Sequence, residues 1–204
     1  MIPRFVAVAS LAALLSGCAL GPRPTLTGEA QLDDAAIDAV LERLDTASAT
    51  TFTAVYTITP TIAGASPAIA TVAHSALETY TVFTVDGVVT VEYVSSDGEQ
   101  QTCAVGRSNC VIGPLDETRI SNLGVSSSFW GPSAAQKVRV DGGRNLADAQ
   151  PGTETLAGMP ATCAEIPVGG LAIAVEYCAL DAGPLAAYRG ADATIELVSY
   201  SPNA

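Results

Sequence analysis

The chain has 204 residues, of which 49% are hydrophobic, 5% aromatic and 15% charged, and its formal net charge is −12. That length is enough for one domain with a real core but short for two. Nine basic against 21 acidic residues argue against nucleic-acid binding, because little cationic surface is left to neutralise phosphates. Few charges and abundant Val, Ala and Thr favour a packed β-rich domain over a disordered chain.

The N-terminus has the pattern of a secretory signal. Arg4 and the α-amine form a short positive region, and Phe5–Leu15 is apolar except for Ser10. This run is too short for a transmembrane helix, which needs about 20 residues. We therefore predict a signal peptide over residues 1–17.

The residues that follow the apolar run, Leu15-Ser16-Gly17-Cys18, resemble a bacterial lipobox. The resemblance implies that Cys18 carries diacylglyceryl and palmitoyl chains and becomes the first mature residue. Two or more acyl chains hold a protein firmly on a bilayer. We expect a protein anchored to the cell membrane on its extracytoplasmic side; the alternative is an ordinary signal peptide with an incidental Cys.

Residues 18–30 are rich in Gly and Pro and lack periodicity, which predicts a flexible tether. Residues 31–204 form the predicted domain. Within it Leu32–Ala47 is helical in pattern, since Ile37, Val40, Leu41 and Leu44 recur on one face and Asp34 suits a helix cap.

After this helix the hydrophobic period changes to two, which indicates strands. Phe52, Tyr56 and Ile58 share one face of the first strand, and Ala68–Thr79 forms a second run. A two-residue turn at Asp86-Gly87 then predicts a hairpin. Its expected register pairs Val82 with Val91 and Tyr80 with Tyr93 on one apolar face.

The stretch Leu115–Ala149 is less regular and predicts short helices and loops, one helix over Ser133–Val140, with Phe129 and Trp130 in a loop. Strands return from residue 154, joined by short turns, which predicts an antiparallel meander. The predicted strands are Glu154–Ala157, Ala161–Val168, Leu171–Leu180, Leu185–Tyr188 and Ala193–Tyr200.

Cys18 is the odd cysteine, and four others remain, an even set in an oxidising compartment. A turn at Gly106-Arg107 would place Cys103 opposite Cys110, and a turn at Gly169-Gly170 would place Cys163 opposite Cys178. We predict these two disulfides. Each would close a short loop and stabilise the folded state by about 2–3 kcal/mol. The rival, a zinc site, lacks C-x₂-C pairs and has one His to draw on.

Sequence motifs for catalysis are absent: there is no G-x-S-x-G elbow, P-loop, H-E-x-x-H or Rossmann fingerprint. A Ser-His-Asp triad would have to use His74, the single histidine. We expect neither an enzyme nor a bound cofactor or metal.

Two features resemble the LolA-like bacterial lipoproteins of the actinobacterial LppX/LprG type. They are the lipobox and Ala157-Gly158-Met159-Pro160-Ala161-Thr162-Cys163, supported by Thr51–Tyr56 and by Glu176-Tyr177-Cys178. The resemblance implies an α+β fold: a strongly curved antiparallel sheet, an incomplete barrel, with an N-terminal helix and short helices over its concave face. It also implies an apolar cavity for acyl chains. The side chains expected to line it are Phe52, Tyr56, Ile58, Tyr80, Val82, Val91, Tyr93 and Trp130.

The resulting hypothesis is a membrane-anchored lipoprotein that binds or carries acylated lipid or glycolipid through the cell envelope. The alternative is a non-transporting surface module that binds an envelope protein, such as the extracytoplasmic part of a membrane sensor. A carrier needs an internal apolar void, whereas a docking module needs a filled core and an exposed apolar patch.

Overall fold

The computed structural model describes residues 34–104, 109–169 and 174–203. The predicted signal peptide, Cys18, the tether and the turn residues Gly106, Arg107 and Gly170 lie outside these ranges. The helical segments are α1 (Ala35–Thr46), a 3₁₀ turn (Ala47–Ala49), a 3₁₀ helix (Glu117–Leu123) and α2 (Pro132–Gly142). The strands are β1 (Phe52–Pro60), β2 (Ala68–His74), β3 (Glu78–Val85), β4 (Val88–Ser96), β5 (Glu99–Cys103), β6 (Cys110–Ile112), β7 (Gln150–Leu156), β8 (Met159–Ile166), β9 (Val175–Leu180), β10 (Leu185–Arg189) and β11 (Ala193–Ser201).

All eleven strands belong to one curved antiparallel sheet in the order β6-β5-β4-β3-β2-β1-β11-β10-β9-β8-β7. Each half is a meander, and the two halves meet where the first strand pairs with the last, with Ile58 opposite Ile195. The end strands β6 and β7 do not pair with each other, so the sheet is not closed into a barrel. The predicted fold class, an incomplete barrel with an N-terminal helix, is confirmed.

Alternation along β1 decides which side of the sheet is the core. Phe52, Ala54, Tyr56 and Ile58 are all fully buried, while the residues between them are half-buried or exposed. Because successive strand residues point to opposite faces, this single strand places four side chains on the concave side. The predicted grouping of the three large residues is confirmed.

The amphipathic pattern of α1 fixes this helix against the second half of the sheet. Asp34 Oδ1 accepts hydrogen bonds from the backbone N–H groups of Ala36 (3.0 Å) and Ile37 (3.3 Å), and so caps the helix. Ile37, Val40 and Leu44 are buried, and the helix packs on β8, β9 and α2. In the described ranges neither helix combines the length and apolarity that crossing a bilayer requires.

The run Ala68–Thr79, predicted as one segment, is divided at Ser75. The Ser75 hydroxyl accepts hydrogen bonds from the N–H groups of Leu77 (3.3 Å) and Glu78 (3.1 Å). This local side-chain bonding stabilises a turn in place of a continuous strand. The chain therefore reverses between β2 and β3 within the predicted strand.

The Asp86-Gly87 turn is confirmed, since both residues have left-handed φ angles (51° and 77°), as a type I′ turn requires. The predicted register of β3 against β4 beyond this turn is wrong. Phe83 pairs with Val91 and Thr84 with Val89, so Thr90 is an extra residue, a β-bulge.

The bulge moves the rest of β3 by one position against β4. Thr81, rather than Tyr80, lies opposite Tyr93, and Val82 lies opposite Glu92. Because side chains alternate along a strand, Tyr80 and Val82 lie on the face opposite the core, where both are half-buried. Their prediction as concave-face residues is corrected accordingly.

Both disulfides have the predicted pairing. Cys103–Cys110 joins β5 to β6, and Cys163–Cys178 joins β8 to β9, each with a Cα–Cα distance of 4.0 Å. In both cases the cysteines lie directly opposite each other in the strand register. Glu154 lies close to the second disulfide, but both sulfurs are bonded to each other, so this trio is not a metal site.

Candidate ligand-binding site

Part of the concave face lies under a segment that we call the helical cover, residues 117–142. It consists of the 3₁₀ helix, a loop over residues 124–131, and α2, which starts with Pro132 at its first turn. The α2 residues that face inward are small: Ala134, Ala135 and Val138 are buried. Through this helix the cover packs against α1. The helix predicted over Ser133–Val140 is confirmed as part of α2.

The loop inserts two aromatic rings beneath the cover. The Phe129 ring lies 5.0 Å from the Tyr56 ring in an edge-to-face arrangement. The Trp130 ring lies 4.5 Å from that of His74 and 5.4 Å from that of Phe52. Such aromatic contacts add about 0.5–1.5 kcal/mol each to the area buried. The middle of the concave side is therefore filled.

Two close approaches hold the loop against the sheet. The Leu185 N–H donates a 2.7 Å hydrogen bond to the Trp130 carbonyl. Gly124, which ends the 3₁₀ helix, has a φ of +73°, and a Cβ added there would lie 3.1 Å from the Asp192 carbonyl oxygen. Glycine suits this position both for its left-handed backbone and for the lack of space beside it.

An apolar cavity of about 70 Å³ remains between the cover and strands β9 to β11. It is smaller than the roughly 300–1,000 Å³ of typical small-molecule sites. The cavity is partly open to solvent. Its apolar and aromatic lining includes Val125, Phe129, Ala134, Tyr177, Leu185 and Ile195.

Charged and phenolic groups lie at the edge of this cavity. Lys137 Nζ is 3.2 Å from an Asp192 carboxylate oxygen and 5.2 Å from the centre of the Tyr188 ring. The Tyr188 hydroxyl donates to Asp192, and the Tyr177 hydroxyl donates to Asp141 at 2.5 Å. The Lys137–Asp192 pair ties α2 to the β10–β11 turn, and the Tyr177–Asp141 bond ties α2 to β9.

Burial raises the pKa of both phenols, Tyr177 and Tyr188, well above the ordinary value for tyrosine. The hydrogen bonds to Asp141 and Asp192 raise these pKa values further, because ionised phenols could no longer donate to the carboxylates. Both hydroxyls therefore stay protonated at neutral pH and keep the rim of the cavity in place.

A second opening, a polar cleft of about 230 Å³, lies on the other side of the loop. Tyr93 and Trp130 line it, together with several hydroxyl side chains. Burial, and then the negative charges of Glu117 and Asp116, raise the pKa of Tyr93 above its usual range. Its hydroxyl donates a 2.8 Å hydrogen bond to the Asp116 carbonyl.

Both ring nitrogens of His74 already have partners in the protein. Nδ1 lies 2.7 Å from the Thr79 hydroxyl and Nε2 lies 3.1 Å from the Ser48 carbonyl oxygen. The ring is buried and contacts Phe52 and Trp130. This arrangement fixes the loop and the 3₁₀ turn to the sheet.

The residues predicted to line a lipid cavity fall into three groups. Phe52, Tyr56, Ile58 and Val91 are buried in the core and line neither opening; Tyr93 and Trp130 line the polar cleft. Tyr80 and Val82 lie on the opposite face.

The cavity residues that sequence reasoning missed come from the second half of the chain and from the cover. Tyr177 and Leu185 belong to strands that were predicted, and Tyr188 ends one of them. Their alternation with other apolar residues was visible in the sequence. The sequence did not indicate which part of the sheet α2 would cover.

The arrangement described above, an open, curved antiparallel sheet with helices on its concave side, is that of the LolA-like fold. No protein-family profile matches the chain, and no curated protein sequence matches it.

Several solved structures are similar to the chain. MucB is 16% identical, with a TM-score of 0.54 over 84% of this chain and 60% of MucB. The complex of MucA and MucB from Pseudomonas aeruginosa gives 16% identity and a TM-score of 0.50 over 81% and 56% of the two chains. The Mycobacterium tuberculosis lipoprotein LppX is 18% identical over 82% of this chain and 93% of LppX, with a TM-score of only 0.42. The chain thus spans less than two thirds of MucB, and at these identities the likeness establishes the fold alone.

Proposed function

We propose that this protein is an extracytoplasmic lipoprotein, tethered to the membrane through Cys18, whose domain binds acyl chains of a lipid beneath the helical cover. The proposal includes the processing at residue 17, the tether over 18–30, and membership of the LppX/LprG type, which rest on the sequence resemblance. Its mechanism is burial alone, and it uses no catalytic residue or cofactor.

The observation that carries the proposal is the apolar cavity between the cover and β9–β11. Its walls are apolar and aromatic, while its edge holds Lys137 and Asp192. An acyl chain inside would gain about 25 cal/mol for each Å² removed from water, before the cost of ordering the chain. The polar edge suits a headgroup that stays near solvent.

Loading requires the cover to move, since about 70 Å³ is far below the roughly 300–1,000 Å³ of sites that hold drug-sized ligands. The polar contacts that must break are the Lys137–Asp192 pair, the Tyr177–Asp141 bond and the Leu185–Trp130 backbone bond. The packing of the Phe129 ring on Tyr56 must loosen as well. Small residues on the inner side of α2 leave little interlocking to resist this movement.

The test is native mass spectrometry of the non-lipidated domain beginning at Ala19, purified from cells and again after incubation with an envelope lipid extract. We expect a stoichiometric mass increase that organic solvent removes, and identification of the extracted diacyl or triacyl lipid. A mass that stays that of the protein alone in both preparations would overturn the proposal.

A second candidate function, binding of an envelope protein, is favoured by the filled centre of the concave side. The structure of similar fold from Pseudomonas aeruginosa is described as a complex of MucA with MucB. Exposed apolar side chains at the β6 edge, Val111 and Ile112, would suit such contacts. Lipid-free protein that captures a defined extracytoplasmic segment of a membrane protein would support this candidate instead.

The anchor gives a separate prediction. Replacing Cys18→Ser removes the thiol that would carry the diacylglyceryl group, so we expect the protein to move from the detergent phase to the aqueous phase in a Triton X-114 partition. The control is Ala19→Ser, which alters the neighbouring residue and leaves the thiol in place. Equal partition of both variants into detergent would contradict lipidation at Cys18.

A further inference from the structure

The polar cleft on the far side of the loop has a chemistry distinct from that of the apolar cavity. It measures about 230 Å³ and lies between the loop, the start of α2 and strands β3 to β5. Its lining combines hydroxyl groups, including those of Thr81, Ser95 and Ser128, with the Gln100 amide, two aromatic residues and the apolar side chains of Val94, Leu115 and Pro132. A ligand there would meet hydrogen-bonding groups in place of a hydrocarbon wall.

None of the described residues that line this cleft is Asp, Glu, Lys or Arg. This is unusual for a chain with a formal charge of −12. A phosphate or carboxylate would leave water without a cationic partner among the lining residues, and an ammonium group would find no carboxylate there, since the Glu117 carboxylate beside Ser127 already accepts two hydrogen bonds from that residue. The lining therefore selects a neutral ligand.

One buried polar group beside the cleft has no partner within the described part of the chain. The Trp130 indole N–H is buried without a hydrogen-bond acceptor, and the residue is only 3% exposed. Among the lining residues, Thr81 is 1% exposed, Ser95 is half-buried and Gln100 is exposed. Buried polar groups are nearly always paired, so the bonding of the Trp130 N–H is incomplete in the protein alone.

Other hydroxyl groups at the cleft already make hydrogen bonds within the protein. Ser127 Oγ donates to Glu117 at 2.6 Å, and Ser128 shares a 2.6 Å hydrogen bond with Ser133. Each hydroxyl oxygen retains a lone pair that can accept a further hydrogen bond. The cleft thus offers donors and acceptors, the hydroxyl groups and the Gln100 amide, which matches a ligand whose own groups are hydroxyls.

From this combination we infer that the cleft beside Trp130 binds a neutral, polyhydroxylated ligand of the size of a single sugar ring. The inference concerns a site separate from the acyl cavity and does not depend on lipid binding. The ligand is a free sugar or polyol, or a sugar at the head of a larger molecule; both have the same recognition chemistry.

The experiment uses Trp130 as the probe, because it is the single tryptophan of the chain. The domain is titrated with glucose, galactose and myo-inositol, and in parallel with glucose 6-phosphate and glucosamine as charged analogues. We expect a saturable change in tryptophan emission with a neutral compound and none with its charged analogue. Octyl glucoside below its micellar concentration, with octylphosphocholine as the control for its chain, tests a sugar headgroup.

Variants of the lining residues test whether the change in tryptophan emission arises from binding in the cleft. Thr81→Val removes a hydroxyl while keeping the shape, and we expect it to weaken binding about fivefold, the effect of one lost hydrogen bond. Trp130→Phe removes the N–H, and its loss of binding is followed by ligand-observed NMR. The matched control is Thr71→Val, a half-buried strand residue outside the cleft.

Saturation by a free sugar, or by octyl glucoside alone, supports the inference provided that Thr81→Val weakens it and Thr71→Val does not. It is overturned if no neutral compound changes the emission at millimolar concentration. It is also overturned if the charged analogues bind as well, or if both threonine variants behave alike. The mass-spectrometric test of lipid binding is independent of all these outcomes.

Discussion

The oxidised double variant Gly124→Cys/Asp192→Cys is expected to lose at least about tenfold in lipid loading. A Cβ at Gly124 would lie 3.5 Å from the Asp192 Cβ, within the usual range of about 3.5–4.5 Å for a disulfide. The bond would fasten the loop of the cover, at a residue that lines the apolar cavity, to the β10–β11 turn. Native mass spectrometry after incubation with lipid extract measures the loading.

The control for the cross-link is Gly124→Ser/Asp192→Ser, which makes the same positional changes without a covalent bond. It also accounts for the strain of a side chain at the left-handed Gly124 and for the lost contacts of Asp192 with Lys137 and Tyr188. If the oxidised variant loads lipid as well as this control, the acyl chains enter elsewhere and the proposed opening is wrong.

Phe52→Ala is expected to lower the free energy of unfolding by about 3–5 kcal/mol, the usual cost of deleting a fully buried aromatic ring. Phe52 is 0% exposed and starts the central strand β1. Its ring lies within 6.0 Å of those of His74, Trp130 and Tyr200, so the loss leaves a void that four elements share. Urea unfolding followed by Trp130 emission measures the change.

Two matched variants make this result specific. Phe52→Leu keeps most of the volume and should cost less than about 1.5 kcal/mol. Val55→Ala truncates a half-buried residue on the other face of the same strand and should cost about 1 kcal/mol or less. A loss for Phe52→Ala no larger than that for Val55→Ala would contradict the filled concave side.

Local sequence features predicted most of the sheet because they depend on neighbouring residues alone. The alternation of buried and exposed residues predicted β1, and the Asp86-Gly87 pair predicted the turn of the β3–β4 hairpin. The disulfides followed from the cysteines' positions in strands that pair in register. Turn geometry and the hydrophobic period of a strand are properties of a few consecutive residues, so a single segment of sequence is enough to predict them.

The register of β3 on β4 could not be read in the same way. One extra residue, Thr90, reverses which face every later side chain occupies, and nothing in Val88–Tyr93 distinguishes a bulge from a regular strand. The extent of the cavity was equally hidden, because it depends on how closely α2 approaches β9–β11. The cavity lies between cover residues such as Val125, Ala134 and Lys137 and the strands β9–β11, which are far apart in sequence from them.

The pairing of β1 with β11 has a consequence for how the chain reaches its native state. Phe52–Pro60 lies in the middle of the sheet, yet one of its two neighbours is the last strand, Ala193–Ser201. Such non-local pairing raises contact order and slows folding, because a long loop must close before the contacts form. A chain emerging N-terminus first leaves one edge of β1 unpaired until β11 has emerged, so the sheet cannot be completed before its last strand is available.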